Sequence, residues 1–285
     1  MNKKSNRIIT IVLILIFLAG LSLLLYPSIS DYWNSFHQSR AIATYSEEVA
    51  DIVDDNYEEL LADANAYNHK LLDKSNRYNL SDEELAEYKE LLNVTGNGMM
   101  GYIEIPSIQC NLPIYHGIDD SVLQIAAGHI EGTSLPVGGE STHCVISGHR
   151  GLPSAKLFTD LDKMVVGDDF IIRVLDEVLT YEVDQIRIVL PSEMDDLKIE
   201  KKKDYFTLVT CTPYGINTHR LLVRGHRIEN QADSNRVRVT ADAIQIEPLI
   251  VAPIVAVPML LILLIILLLP KQPKKLGGNA YEEDI

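Results

Sequence analysis

Apolar positions follow three different patterns along this chain. Near each end they run unbroken: Ile8–Ser30 and Pro248–Pro270 contain no charged residue. A membrane-spanning helix needs roughly 20 apolar residues, so both stretches qualify as spans. Between residue 31 and about residue 97 the apolar positions recur at helical spacing. Val49, Ile52, Val53, Leu60 and Leu61 mark one helix within Ser46–Leu72. Ser81 followed by Glu84 is a capping box that opens another helix through Leu92. The polar interval Asp73–Leu80 separates the two. After Gly96-Asn97-Gly98 the period changes to two.

The strand-like runs are Tyr102–Pro106, Cys110–Tyr115, Cys144–Ser147, Phe170–Leu175, Leu179–Val183, Gln185–Leu190, Tyr205–Thr210 and Arg220–Arg224, divided by Gly, Pro, Asn and Asp turns. Ala155–Leu161 reads as a short helix. This many short strands in so little chain predict a closed or nearly closed β-barrel. The expected fold class is therefore mainly β: an eight-stranded barrel, an N-terminal helical region and two flanking transmembrane helices. The corresponding segments are a cytoplasmic N-terminus (1–7), an anchor (8–30), a helical stalk or lid region (31–97), the barrel (98–230), a linker (231–247), a second span (248–270) and a cytoplasmic tail (271–285).

Charge sets the expected topology. Lys3, Lys4 and Arg7 precede the first apolar stretch and Lys271, Lys274 and Lys275 follow the second, whereas the inner flanks carry Asp31, Asp242 and Glu247. The positive-inside tendency puts both termini in the cytoplasm and the intervening domain outside a cell membrane. That domain is more acidic than the chain's net −15, because the N-terminal flank is basic and the tail is balanced. Such a charge argues against nucleic acid or an anionic lipid surface as partner.

The three cysteines, Cys110, Cys144 and Cys211, all fall in the expected exported part. An odd number leaves at least one free thiol. No zinc-ligand spacing occurs, and no metal or other cofactor is called for. Cys110 and Cys144 leave two readings, a disulfide between them or two buried free cysteines, and the second is preferred because each sits within an apolar strand pattern. Cys211 instead ends the strand Phe206–Thr210 just before the turn Thr212-Pro213-Tyr214-Gly215, at the rim of the expected barrel. Arg220 begins the next strand, so a hairpin returns it beside Cys211. There a guanidinium could stabilise the thiolate, hold a substrate backbone or bind a developing oxyanion. Of eight histidines, His149 follows a strand end in Ser147-Gly148-His149-Arg150-Gly151, whereas His143 starts the same strand and His219 faces away from Arg220's side. A thiol, an imidazole and a guanidinium suffice for forming and resolving an acyl-enzyme. Arg224 lies on the same strand face as Arg220 and is a rival for substrate positioning.

The run Thr207–Gly225, with Thr-Cys-Thr-Pro and His219-Arg220, resembles the active-site signature of class C, pilus-assembling sortases. The resemblance extends through Gly101–Pro106, Pro113–Gly117, Gly128–Gly139 and Ser147–Phe158. It implies Cys211 as nucleophile, His149 as general acid and base, and Arg220 as transition-state and substrate clamp, with Thr210, Thr212 and Arg224 as substrate-binding or supporting residues. The implied reaction is cysteine transpeptidation. An LPXTG-type sorting signal is cleaved between Thr and Gly, and the resulting thioester passes its acyl group to an amine. The implied partners are LPXTG-bearing pilins or surface proteins and an acceptor, either a pilin lysine or a cell-wall precursor. Cell-wall anchoring is the alternative within the family, and a membrane adaptor that only binds sorting signals is the alternative outside enzymes. The sequence departs from the family in one place. The Asp-Pro-aromatic lid tripeptide is missing from Leu71–Glu84, so any lid is expected to be weakly anchored, or the segment to serve as a support for the barrel.

Overall fold

A computed structural model describes residues 3–230, 256–260, 262 and 265. The expected linker 231–247 and the expected cytoplasmic tail 271–285 lie outside the described residues, and so does most of the apolar stretch 248–270.

The described residues divide near Ser28 into two units, and the barrel lies in the one that begins at Ile29. Among the described residues one helix is long and apolar enough to cross a membrane. This is α1, Lys3–Ala50. It continues well past Ser30, where the uncharged stretch ends. Beyond that point it is fixed to the barrel unit: Asp31 accepts from the Lys156 amide at 2.6 Å, Asn34 donates to the Ser154 carbonyl at 2.7 Å, and Gln38 donates to that of Ile125 at 2.7 Å. Tyr45 is buried, donating to the Met100 carbonyl and accepting from the Leu175 amide.

The helix expected over Ser46–Leu72 is broken. α1 ends at Ala50, and α2 covers Asp54–Leu72. The break turns Ile52 onto the barrel core, where Tyr57, Leu60 and Leu61 also pack. Helical periodicity runs through this point unchanged, so tertiary contact decided it. The capping box at Ser81 is present and opens α3, Asp82–Glu90. A short helix, α4, covers Asp120–Leu123. No helix forms over Ala155–Leu161. That segment is turn and isolated bridge, with a single 3-10 turn beginning at Leu161.

The barrel has eight strands: β1 Met99–Ile105, β2 Cys110–His116, β3 Ala127–His129, β4 Thr142–Ser147, β5 Asp169–Val174, β6 Glu177–Val189, β7 Asp204–Thr212 and β8 His219–Ile228. They close in the order β1-β2-β3-β4-β7-β8-β6-β5. Two details differ from the sequence reading. Leu179–Val183 and Gln185–Leu190 belong to one strand, β6, interrupted by a register shift between Val183 and Gln185 against β8. A bulge of this kind inverts the alternation locally, which makes one strand look like two. The three-residue β3 was not anticipated, being too short to carry a period.

Inward-facing residues, among them Ile103, Ile114, Cys144, Ile146, Phe170, Phe206, Leu208 and Val223, form the main core. Val145, Val209 and Leu222 point the other way. With Leu197 from the β6–β7 connection they form a second apolar cluster on the outer face.

Candidate active site

The site is assembled by two pairings. β4 and β7 are parallel, with Ser147 opposite Val209, so both strands end at the same rim. The pairing continues one step further, where the Gly148 amide donates to the Val209 carbonyl at 3.0 Å and the Thr210 hydroxyl donates to the Gly148 carbonyl at 2.7 Å. His149 therefore leaves β4 level with Cys211. β7 and β8 are antiparallel and place Cys211 directly opposite Arg220. Side chains so opposed have Cβ atoms about 5 Å apart. By strand alternation Cys211 and Arg220 share the outer face with Val209 and Leu222, while Thr212 and His219 face the other way. Cys211, His149 and Arg220 are all half-buried. One Arg220 Nη donates to the carbonyls of Asn217 and His219, at 3.3 and 3.1 Å, which holds the guanidinium against the β7–β8 turn.

The two rim loops are packed against each other. Tyr214 lies on Gly151, where an added Cβ would come within 2.7 Å of the ring. Gly151 also has φ of 76°. Arg150 lies 5.9 Å over the same ring and pairs with Asp162. Gly148 is equally constrained, since a Cβ there would meet the Phe158 ring at 2.6 Å. Gly151→Ala should therefore force the loops apart and add about 1–2 kcal/mol of backbone strain. The expected outcome is a kcat reduced on the order of tenfold with a lower melting temperature, checked by steady-state kinetics beside a thermal melt. The Thr212–Pro213 peptide that follows the thiol is cis. A cavity of about 650 Å³ opens beside Thr212–Tyr214, walled by Arg150, Asp162, Ile186 and Ile188.

The remaining thiols and most other histidines are committed elsewhere. All three cysteines are free. Burial pushes the Cys110 thiol up to about 12 and raises that of Cys144 well above the usual range, so neither supplies thiolate. His129 is fully buried between the Tyr88 hydroxyl and the Ser134 carbonyl. His143 stands at the far end of β4 from His149, held by the Lys198 carbonyl and the Thr207 hydroxyl. Desolvation lowers both imidazoles to about 4.

Because these folded values lie below the ordinary 6.5, the unfolded chain takes up protons first on acidification. The two histidines contribute fully above pH 6.5 and lose their contribution as pH falls towards 4, roughly 3 kcal/mol each at the limit. Denaturant titrations between pH 7 and 4.5 should show stability falling through that window. The fall should be smaller in a His143→Asn variant. An unchanged midpoint across the window would remove this account.

Of the supporting residues expected from sequence, Thr210 is buried and holds the Gly148 carbonyl beside the rim that carries Cys211. Thr212 is buried on the opposite face. Arg224 shares Arg220's face, but it is engaged well away from the rim. It makes two bonds to Asp184 at 2.9 and 3.0 Å and lies 4.1 Å over the Tyr205 ring. Two residues that sequence reasoning passed over also matter. Tyr214 locks the loops, and Leu197 lies on the outer-face cluster. Neither carries a motif.

A β-barrel whose rim presents a thiol and a guanidinium as a cross-strand pair, beside a histidine loop, carries the groups that acyl transfer through a cysteine requires. Comparison with known proteins narrows this. The sortase domain family matches residues 103–228. The crystal structure of sortase C1 from Streptococcus agalactiae is 50% identical and superposes with a TM-score of 0.66, covering 67% of this chain and all of that one. A sortase C structure from Clostridium perfringens, described as carrying the C-terminal cell wall sorting motif, is 46% identical with a TM-score of 0.60, over 67% of this chain and all of that one. Sortase D of Bacillus subtilis is 28% identical over 131 residues, which is 45% of this chain and 63% of that relative, so the match spans less than two thirds of the curated protein. The chain belongs to the sortase family, on the side of its class C members.

Proposed function

We propose that this protein is a membrane-anchored cysteine transpeptidase that cleaves LPXTG-type signals and joins the acyl fragment to a lysine amine of a pilin. The observation that carries the reading is the Cys211–Arg220 cross-strand pair at the rim where His149 also emerges. The Cys211 thiolate attacks the carbonyl carbon of the threonine. Arg220 faces the oxygen that becomes negative, and His149 gives its proton to the departing glycine amine. The product is a thioester on Cys211. An incoming amine loses a proton to His149, attacks the thioester carbonyl and releases the thiol. A thioester suits this task because amines attack it readily, provided water is kept away.

The apolar cluster of Val145, Val209, Leu222 and Leu197 supports a donor peptide lying along the outer face, its leucine directed towards that cluster. The uncharged composition of 248–270 and the lysines flanking both apolar stretches support two spans, cytoplasmic termini and an external catalytic domain. Affinity to class C sortases favours a pilin lysine over a cell-wall precursor as acceptor.

The test uses the full-length protein in detergent with an LPXTG peptide, followed by intact mass measurement. The expected mass gain is that of the peptide up to threonine, discharged on addition of a lysine-bearing pilin fragment with formation of an isopeptide. Binding without any adduct would instead identify an adaptor. Discharge only by a cell-wall precursor amine would identify an anchoring sortase.

A further inference from the structure

The outer-face cluster is bounded at the end away from Cys211 by a side chain from outside the barrel. Arg77 lies in the polar interval between α2 and α3, where the family's lid tripeptide is missing. It is nevertheless buried, at 9% exposure. Its carbonyl oxygen presses on Gly132 in the β3–β4 connection, where an added Cβ would fall 2.0 Å from that oxygen and φ is 79°. Its guanidinium reaches the opposite wall. One Nη donates to the Leu197 carbonyl at 2.6 Å and to the Tyr78 hydroxyl at 2.7 Å, and the group lies 4.8 Å over the Tyr78 ring. Arg77 thus ties the β3–β4 connection to the β6–β7 connection, across the cluster.

Leu197 is the cluster member held by that bond. It is also the only one of the four core members that does not belong to a strand, since Val145, Val209 and Leu222 are fixed by the barrel ladder. The position of Leu197 therefore depends on its own connection. That connection is secured at Asp196 by Arg187 and Gln185, at Leu197 by Arg77, and at the next carbonyl, Lys198, by His143 at 2.8 Å. Among the described residues Arg77 alone reaches the Leu197 carbonyl from outside the barrel. A buried guanidinium is unfavourable unless its donors are paired, so its presence here points to a specific task.

We propose that Arg77 is a positioning residue for the donor peptide: it holds Leu197 against the outer-face cluster and so preforms the subsite for the peptide's leucine. This rests on the transpeptidase reading above. An extended peptide advances about 3.3 Å per residue, so a leucine three positions before the attacked threonine lies roughly 10 Å away, about the span along β7 from Cys211 to Leu208. That brings it to the level of Val209 and Leu197 rather than of the catalytic rim. The interval between α2 and α3 then acts as a strap across the far end of the peptide's path, leaving the thiol uncovered. Removing the strap loosens Leu197, and the ordering must occur on binding instead.

The experiment compares full-length wild type with Arg77→Ala, Arg77→Lys and Tyr78→Phe, using an LPXTG peptide and one with the leucine replaced by alanine. Arg77→Ala should raise KM for LPXTG about tenfold and leave kcat within about twofold. It should also reduce the preference for leucine over alanine by a similar factor. Arg77→Lys should recover part of the KM. Tyr78→Phe, which removes only a hydroxyl at a half-exposed ring, should raise KM about twofold with an unchanged melt. Alkylation of Cys211 by iodoacetamide should proceed at the wild-type rate in every variant. An unchanged KM, or an unchanged leucine preference, in folded Arg77→Ala and Tyr78→Phe overturns the proposal. So does a lowered KM with faster alkylation, which would make the segment an inhibitory cover. Should the alanine variant not fold, Arg77→Lys and Tyr78→Phe decide the matter by the same readouts. Absence of any acyl adduct in the wild type would sink the transpeptidase reading instead, and is distinguishable from these results.

Discussion

Cys211→Ala should form no covalent adduct with an LPXTG peptide, and its transpeptidation should fall by roughly four orders of magnitude or more, to below detection. The three thiols differ in their surroundings. Cys144 faces the core from β4, and its ionisation is opposed by burial. Cys110 is pushed up to about 12 for the same reason. Cys211 differs in placement: it ends β7 on the outer face, half-buried and opposite a permanent cation. Cys110→Ala should accordingly form adduct at close to the wild-type rate. Cys144→Ala should do the same while losing about 1 kcal/mol of stability through a smaller core side chain. Intact mass after peptide incubation reads the adduct, and a thermal melt reads the stability. An adduct that survives in Cys211→Ala and disappears in Cys144→Ala would falsify the assignment of the nucleophile.

The second large effect is expected at Arg220. Arg220→Ala should lower kcat on the order of 10²–10³-fold, the usual consequence of losing one donor to a developing oxyanion. Arg220→Lys should recover only a small part of this. A guanidinium can bond the neighbouring carbonyls of Asn217 and His219 and still present further N–H groups across the strand to the carbonyl under attack. An ammonium retains the charge but not that planar fork. The loss should fall mainly on kcat, since the charge to be stabilised is absent from the ground state. Single-turnover acylation followed by mass spectrometry separates this from slow release of product. If kcat stayed within twofold in Arg220→Ala and only KM rose, Arg220 would be a substrate-backbone contact and the oxyanion role would be wrong.

Together with the Arg77 strap these effects divide the outer face into two functional zones. In the proposed reaction, chemistry takes place at the rim, where β4, β7 and β8 meet, and the peptide's far end is recognised over Val209 and Leu222, where no strand fixes the cover. Substitutions in the first zone should move kcat, and those in the second should move KM and leucine preference.

The sequence alone determined the parts of this protein that depend on local order. Uncharged stretches, the capping box at Ser81 and alternation in most strands are written in neighbouring residues, and a barrel followed from their number. Cys211 and Arg220 were also legible as neighbours, because a hairpin fixes the partner of a strand end from the loop alone. Tertiary structure decided the rest. The parallel pairing of β4 with β7 joins residues some sixty positions apart, and no local period records it; yet it is what brings His149 level with Cys211. The bulge in β6 disguised one strand as two, and β3 was too short to show alternation. Arg224 shared Arg220's face but was drawn into Asp184 and Tyr205. Arg77 read as one polar residue in a break, because the groups that give it meaning, Gly132 and the Leu197 carbonyl, meet it only in the folded chain. Short-range forces act between residues close in space. A sequence shows such pairs only where closeness in space and closeness along the chain coincide.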